Sequence, residues 1–357
     1  RWLERSMQAG YCRPLLQALL GLAVSCLEVP GGGYCQAAAA AAVRHLCEEC
    51  GSYMGGCLQD LLGLYQKVLG MGAAARAPPA ANGAPAASNP QSLLLEEDVE
   101  SIIAAVCQAV SQAAPPEQRQ QAGQALLLPV LQQLQGALQG GPGGAAAPQL
   151  NSLVDRLAEV FGRTADADVV AHMLMSSWPV LDALLSSCSG CPKTVEHTLR
   201  TLRYGIKGAG RAAAQLLPTL LEVLPARFTT TRHSAFLFIV SELVKFFGDQ
   251  PAHDSALGLI LSGLVTEAGR PLTSLAALSS SPDLVDDLFL LGLRALGYAP
   301  RLLLTPTGAA PGAGAAGEAR ALGTLLDVAM VGCVMQHREA NGSVLCFLCR
   351  LTQPATL

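Results

Sequence analysis

Aromatic residues and charges are both scarce in this chain of 357 residues: 4% are aromatic and 14% charged, against about 25% charged in an ordinary globular domain. So few aromatics leave Leu, Ala and Val to fill the interior, and 51% of the residues are hydrophobic. A disordered tail is excluded, because disorder needs low hydrophobicity and high net charge. A net charge of −4, from 23 basic and 27 acidic residues, excludes a uniformly basic nucleic-acid coat protein. No run reaches the roughly 18 uncharged apolar residues of a membrane span, so the chain reads as soluble. It opens at Arg1 with neither Met nor a secretory signal, and reads as a fragment.

Catalytic signatures are missing as well. There is no GxSxG elbow, Walker A loop, HExxH or strand-borne GxGxxG, and the few carboxylates lie mostly at helix ends. No enzyme is expected. Val, Ile, Thr, Tyr and Phe are too few for a β protein, whereas Leu and Ala lose little freedom in a helix.

What is present is helical period from end to end. Amphipathic runs extend from 12–27 to 339–351, about fourteen in some seven pairs of roughly 40 to 50 residues, which is the period of a HEAT or armadillo α-solenoid. Most connections are short, so neighbours pack as antiparallel hairpins. The expected architecture is an all-α, right-handed solenoid of antiparallel helix pairs, one domain over 1–357. Three tracts rich in Ala, Gly and Pro, at 72–90, 140–148 and 305–317, cannot bury enough surface to offset chain entropy and read as flexible loops. Ser281, Pro282 and Asp283 form a helix start of N-cap, N1 proline and acid at the positive dipole end. Glu96, Glu97, Asp98 and Glu100 do the same electrostatic work for another helix.

Cys47/Cys50, Cys188/Cys191 and Cys346/Cys349 are CxxC pairs, and two thiolates so spaced can share a zinc ion. Zinc needs two more ligands, and the six histidines (His45, His172, His197, His233, His253, His337) are scattered. No metal, cofactor or disulfide is expected at these pairs, and the twelve cysteines read as reduced core residues of a cytosolic or nuclear protein. Cys12, Cys26, Cys107 and Cys333 in particular sit singly among helical apolar residues.

Charge singles out one region. Between 191 and 232 lie seven basic residues (Lys193, Arg200, Arg203, Lys207, Arg211, Arg227, Arg232) and two acidic ones (Glu196, Glu222), a local excess of five. Arg200, Arg203 and Lys207 follow spacings of three and four, within about 60° on one helical face. His197 lies beside them, and Arg211 extends the row if Gly208 and Gly210 do not bend the chain. No acid follows at i+4 along the row. Such a row is either a solvated helix face or a binding face, and guanidinium groups in a row suit forked recognition of phosphate or carboxylate.

The segment VEHTLRTLRYGIKGAG (195–210), followed by HSAFLFIVSELVKFFG, PDLVDDLF and HREANGSVLCFLCRL, resembles nuclear import receptors of the transportin-SR (transportin-3) type in the importin-β superfamily. Upstream, AAAAAAVRHLCEECGSYM, LVDRLAEVFGRT and SWPVLDALL match in the same order. The resemblance implies HEAT repeats from the middle and C-terminal part of a longer receptor. Such a receptor binds phosphorylated arginine-serine-rich splicing factors, passes the pore on FG nucleoporins, and releases cargo to RanGTP, which binds chiefly N-terminal repeats. It implies a shuttling monomer of cytoplasm and nucleus, with no membrane or direct nucleic-acid partner. By resemblance, Arg200, Arg203 and Lys207 fall on basic positions of the family's cargo helix, and Arg211 falls just after it. His197 stands where the family has Arg, Thr198 and Leu199 replace cysteines, and Lys207 replaces Arg. Periodicity alone leaves a second reading open, a HEAT scaffold that assembles a complex without shuttling.

Overall fold

A computed structural model of the chain describes residues 13–29, 33–74, 96–139, 147–304 and 314–353. Among them there is no strand, as the scarcity of strand formers requires. The helices are α1 Arg13–Leu27, α2 Gly33–Cys50, α3 Leu58–Ala74, α4 Glu96–Ala113, α5 Arg119–Gln139, α6 Ala147–Arg163, α7 Ala167–Ser187 and α8 Pro192–Ala209. They continue with α9 Leu217–Thr231, α10 Ala235–Phe247, α11 Asp254–Gly269, α12 Leu275–Ser280, α13 Pro282–Tyr298, α14 Arg301–Leu304, α15 Gly314–Gly332 and α16 Arg338–Thr352. The chain divides into two compact units, Arg1–Val180 and Leu181–Leu357.

Each unit is built of helices that pack on their chain neighbour and on the helix two steps away. In the first unit α2 lies beside α4 and α4 beside α6, while α3 lies beside α5. In the second, α8, α10, α13 and α16 form one layer, and α9, α11 and α15 another. This two-layer stacking is what defines an α-solenoid: an amphipathic pair hides its apolar face only against adjacent pairs. On α1 the buried residues are Leu16, Leu20, Ala23 and Leu27, spaced four, three and four, a single helical stripe. Close approach between α13 and α16 rests on Gly292, where a Cβ would lie 3.1 Å from Phe347. Phe289 and Phe347 meet edge to face there, with centroids 5.5 Å apart.

Several boundaries differ from the sequence expectation. The sequence period suggests a helix over 212–224, whereas a 3-10 turn, Gly210–Leu216, stands there and is followed by α9. Gly210 takes φ +52° and breaks the preceding helix. Pro225 does not end α9, which runs on to Thr231, and Thr229, Thr230 and Thr231 back-bond to the Pro225, Ala226 and Arg227 carbonyls at 3.0 to 3.1 Å. Arg232 caps the helix in left-handed conformation at φ 56°, its N–H donating to the Phe228 carbonyl. Two short helices, α12 and α14, were too brief to show a period. The three low-complexity tracts lie mostly outside the described residues, but helices run into their margins at 72–74, 147–148 and 314–317. The helix α7 is long and apolar enough to cross a membrane by length and composition, yet 61% of its apolar window is buried in the protein, as in a core helix.

The cysteines divide by position. Cys47, Cys50, Cys57, Cys107 and Cys188 are buried, whereas Cys35, Cys333, Cys346 and Cys349 are exposed, which corrects the reading of all thiols as core. Cys333 follows the end of α15, beyond its apolar stripe. Burial pushes the Cys47 thiol up to about 12, where it stays protonated. Among the described residues no three potential ligands gather around a metal position.

Candidate binding face

The row expected on α8 is present, with changes. Pro192 starts the helix at its first turn after an extended Cys191, the position where a missing N–H costs nothing. Val195, Leu199, Leu202, Ile206 and Ala209 are buried along one stripe. Thr198 and Thr201 are buried as well, and satisfy their hydroxyls on the Thr194 and His197 carbonyls at 2.7 and 2.9 Å. The opposite side carries Arg200 and Lys207, both exposed, with His197 and Arg203 half-buried. Arg200 Nη2 lies 3.0 Å from His197 Nδ1, so with that bond formed the imidazole is the acceptor and neutral on that nitrogen.

Arg203 turns from solvent toward α10, its guanidinium 4.2 Å from the centre of the Phe238 ring. Arg294 of α13 stacks on the same ring at 4.8 Å. Arg294 in turn donates to Glu242 at 2.9 Å and to Ser241 Oγ at 2.7 Å. Glu242 is only 1% exposed, and a buried carboxylate without a partner costs several kcal/mol. Phe238 therefore joins two cations from different helices, and Arg294 balances the acid beneath them.

Beside this lies a row of carboxylates: Asp283, Asp286 and Asp287 at the start of α13, and Glu196 at the start of α8. Burial raises Asp287 to about 6, with Asp286 and Asp283 adding to the rise while a Ser234 hydrogen bond and Arg203 oppose it. Asp286 accepts a hydrogen bond from Ser343 of α16. Burial lowers His233, and the nearby Glu196 and Asp283 oppose that. Asp283 in the first turn of α13 and Lys207 in the last turn of α8 each stand at the end of the helix dipole that favours their charge. A cleft of about 640 Å³ opens at this acidic edge, lined by Arg232, His233, Ser234, Arg270, Ser281 and Asp283 among others. Its two arginines both pair with Glu267.

Arg211 does not extend the row. The helix ends at Ala209, and Arg211 pairs with Asp249 across the turn and donates to the Phe246 carbonyl at 3.3 Å. Arg227 pairs with Asp182 at 2.8 Å, and Arg232 with Glu267. All three acids lie outside 191–232, so the excess counted there is reduced by partners that linear spacing could not reveal. Lys193, Arg200, Arg203 and Lys207 are the basic residues on α8 itself. Glu196 sits one turn before Arg200, a partner position missed by looking only toward the C-terminus. Phe238, Arg294 and Glu242 were also missed, since they come from other helices.

The fold and this face define a HEAT-type solenoid with a charged layer surface. Residues 169–270, which include α8 to α10, match the transportin-3/importin-13 fourth TPR domain. Transportin MOS14 of Arabidopsis thaliana is 26% identical over 314 residues, covering 88% of this chain and 30% of its own length. An uncharacterised protein of Schizosaccharomyces pombe is 25% identical over 188 residues, 50% of this chain and 18% of its own. Importin13 in its cytosolic state is similar in structure, with a TM-score of 0.68 and 14% identity over 93% of this chain and 34% of that one. That last likeness establishes the fold. The chain spans less than a third of the length of the curated relatives it matches.

Proposed function

We propose that this chain is the cargo-holding part of a karyopherin-type nuclear import receptor, a binding protein rather than an enzyme. Its cargo is a phosphorylated arginine-serine-rich protein, and it shuttles between cytoplasm and nucleus through contacts with FG nucleoporins and under the control of Ran. The observation that carries the reading is the α8 face, which exposes Arg200 and Lys207 and whose stacked Arg203 lies near Asp287 of α13. A phosphoserine carries about −1.5 to −2 charges and three acceptor oxygens, and suits the guanidinium groups. The cargo arginines between phosphoserines suit Asp283 and Asp286. Unphosphorylated cargo is purely cationic, and the α8 cations repel it.

Fluorescence anisotropy with an arginine-serine peptide, phosphorylated and not, tests this. The phosphorylated form is expected to bind at least about tenfold more tightly at low salt and to lose most of that advantage at high salt. Equal affinity for the two forms would contradict the assignment of cargo.

A further inference from the structure

One serine at the edge of the second unit is used neither by the fold nor by the cargo reading. Of the 22 prolines, only Pro282 follows a serine, Ser281, and only Pro306 follows a threonine. A serine directly before proline is the dipeptide that proline-directed protein kinases require. Ser281 holds the N-cap position of α13, with Pro282 in the first turn, yet its side chain makes no cap hydrogen bond. Neighbouring hydroxyls are occupied: Ser274 accepts from the Ala277 N–H at 3.3 Å, and Ser280 donates to the Ala277 carbonyl at 2.8 Å. Ser281 instead lines the cleft of about 640 Å³, whose wall also carries Arg232, Arg270 and Asp283. The two arginines share one carboxylate, Glu267, through its two oxygens, so this trio keeps one positive charge in excess. The Arg270 side chain is 69% exposed and spends a single nitrogen on the pair, leaving most of its five N–H donors to a ligand. The approach is open as well, since residues 273–276 and 279–280 are exposed and Ser281 is half-buried.

We propose that Ser281 is a phosphorylation site of a proline-directed serine/threonine kinase, and that Arg232 and Arg270 hold the phosphoserine it produces. In the transfer, Ser281 Oγ attacks the γ-phosphorus of ATP. The bond from that phosphorus to the β–γ bridging oxygen breaks, ADP departs, and the hydroxyl proton passes to the kinase's base. The product carries about −1.5 to −2 charges and three acceptor oxygens, and forked guanidinium donors suit those oxygens. Arg270 has donors to give without releasing Glu267. Asp283, two residues on, repels the phosphate, so the arginines are what keep the group in the cleft rather than turned to solvent. Arg232 and Arg270 balance Glu267 and Asp283 before modification, and the phosphate then makes this edge negative. His233 lines the same cleft and is held below its ordinary value by burial. The added charge favours its protonated form.

The test uses the whole folded chain carrying Thr305→Ala, so that Ser281 is the remaining hydroxyl residue before a proline. It is incubated with ATP and a mitogen-activated protein kinase, which needs no basic residue after the proline. Mass spectrometry should find one phosphate, on Ser281, and none in Ser281→Ala. Phosphorus-31 NMR then reads the second ionisation of the phosphoserine. The expected value lies about half a pH unit or more below that of a free Ser-Pro phosphopeptide, because adjacent guanidinium groups favour the dianion. It should return to the peptide value in Arg270→Gln, at an exposed position, and in Arg232→Asn, which tolerates the left-handed cap, with helicity of both variants checked by circular dichroism. A Ser281 left unmodified in the folded chain would overturn the proposal. So would a phosphoserine that titrates as the free peptide does, or one whose titration is the same with and without the two arginines.

Discussion

In the first unit, α2, α4 and α6 meet through small and aliphatic side chains such as Ala39, Ala40, Val43, Ile103, Val106 and Leu153, with the thiols of Cys47, Cys50 and Cys107 among them. In the second, α10, α13 and α16 meet through Phe236, Phe247, Phe289 and Phe347. There, helices are also tied by ion pairs: Arg227 to Asp182, Arg294 to Glu242, and Arg301 to Asp254 through two contacts of 2.6 Å. The first unit is mainly an aliphatic stack, although α6 buries Arg156 in it and more exposed pairs join Lys67 to Glu28 and Arg119 to Asp166. The second gives up part of its apolar layer to paired charges, and it is there that a charged face faces outward. Placing charge on a solenoid layer requires pairing beneath it, since an isolated buried ion is unstable.

That comparison can be broken most sharply at Glu242. Replacing Arg294 with Ala leaves the carboxylate buried without its partner, and chemical denaturation should show a loss of about 3 to 5 kcal/mol. The double replacement of Arg294 by Met and Glu242 by Gln should recover most of it. If Arg294→Ala costs less than surface substitutions do, the layer does not depend on the pair.

In the first unit the equivalent weak point is steric. A Cβ at Gly123 would come 2.5 Å from Val169 Cγ1, so Gly123→Ala should cost about 1 to 3 kcal/mol through overpacking. An unchanged melting temperature would show that α5 and α7 can separate without loss.

Asp287 gives a pH signature of similar or smaller size. Its folded value of about 6 lies above the ordinary 3.8, so the folded chain holds that proton more strongly than the unfolded one. Its contribution to stability is full below about 4, falls as pH rises toward 6, and is gone above it, a difference of about 2 to 3 kcal/mol at 1.36 kcal/mol per pH unit. Asp287→Asn should flatten the melting temperature between pH 4 and 6 and raise it at pH 7.5. A variant that keeps the wild-type slope would assign the titration to another group.

The smallest effect is expected from Phe238→Leu, which removes the stack under Arg203 and Arg294, worth about 0.5 to 2 kcal/mol. It should also weaken binding of the phosphorylated peptide modestly, since Arg203 loses its fixed position.

The helix pairs were legible because each carries its own 3.6-residue stripe, as α1 and α8 do. Boundaries near Gly210, Pro225 and the Ala-rich 314–317 were not, because a broken turn, a proline held inside α9 and helix-forming Ala change the ends without changing the period. Arg200, Arg203 and Lys207 could be read from spacing on one helix. Arg211 could not, since Asp249 is far along the chain, and neither could Phe238, Arg294 and Glu242, which meet only across layers. The stacking of Arg203 also changes which variant is informative: Glu at that position would sit near Asp287 and disturb packing, whereas Arg200 and Lys207 are exposed.

The most direct measurement is therefore the affinity of the phosphorylated arginine-serine peptide for Arg200→Glu/Lys207→Glu, by isothermal titration at low salt, with helicity checked by circular dichroism. Helicity equal to wild type with affinity reduced about tenfold or more is the result the account predicts. Wild-type affinity in a folded double variant would contradict it and leave the α8 row a solvated helix face.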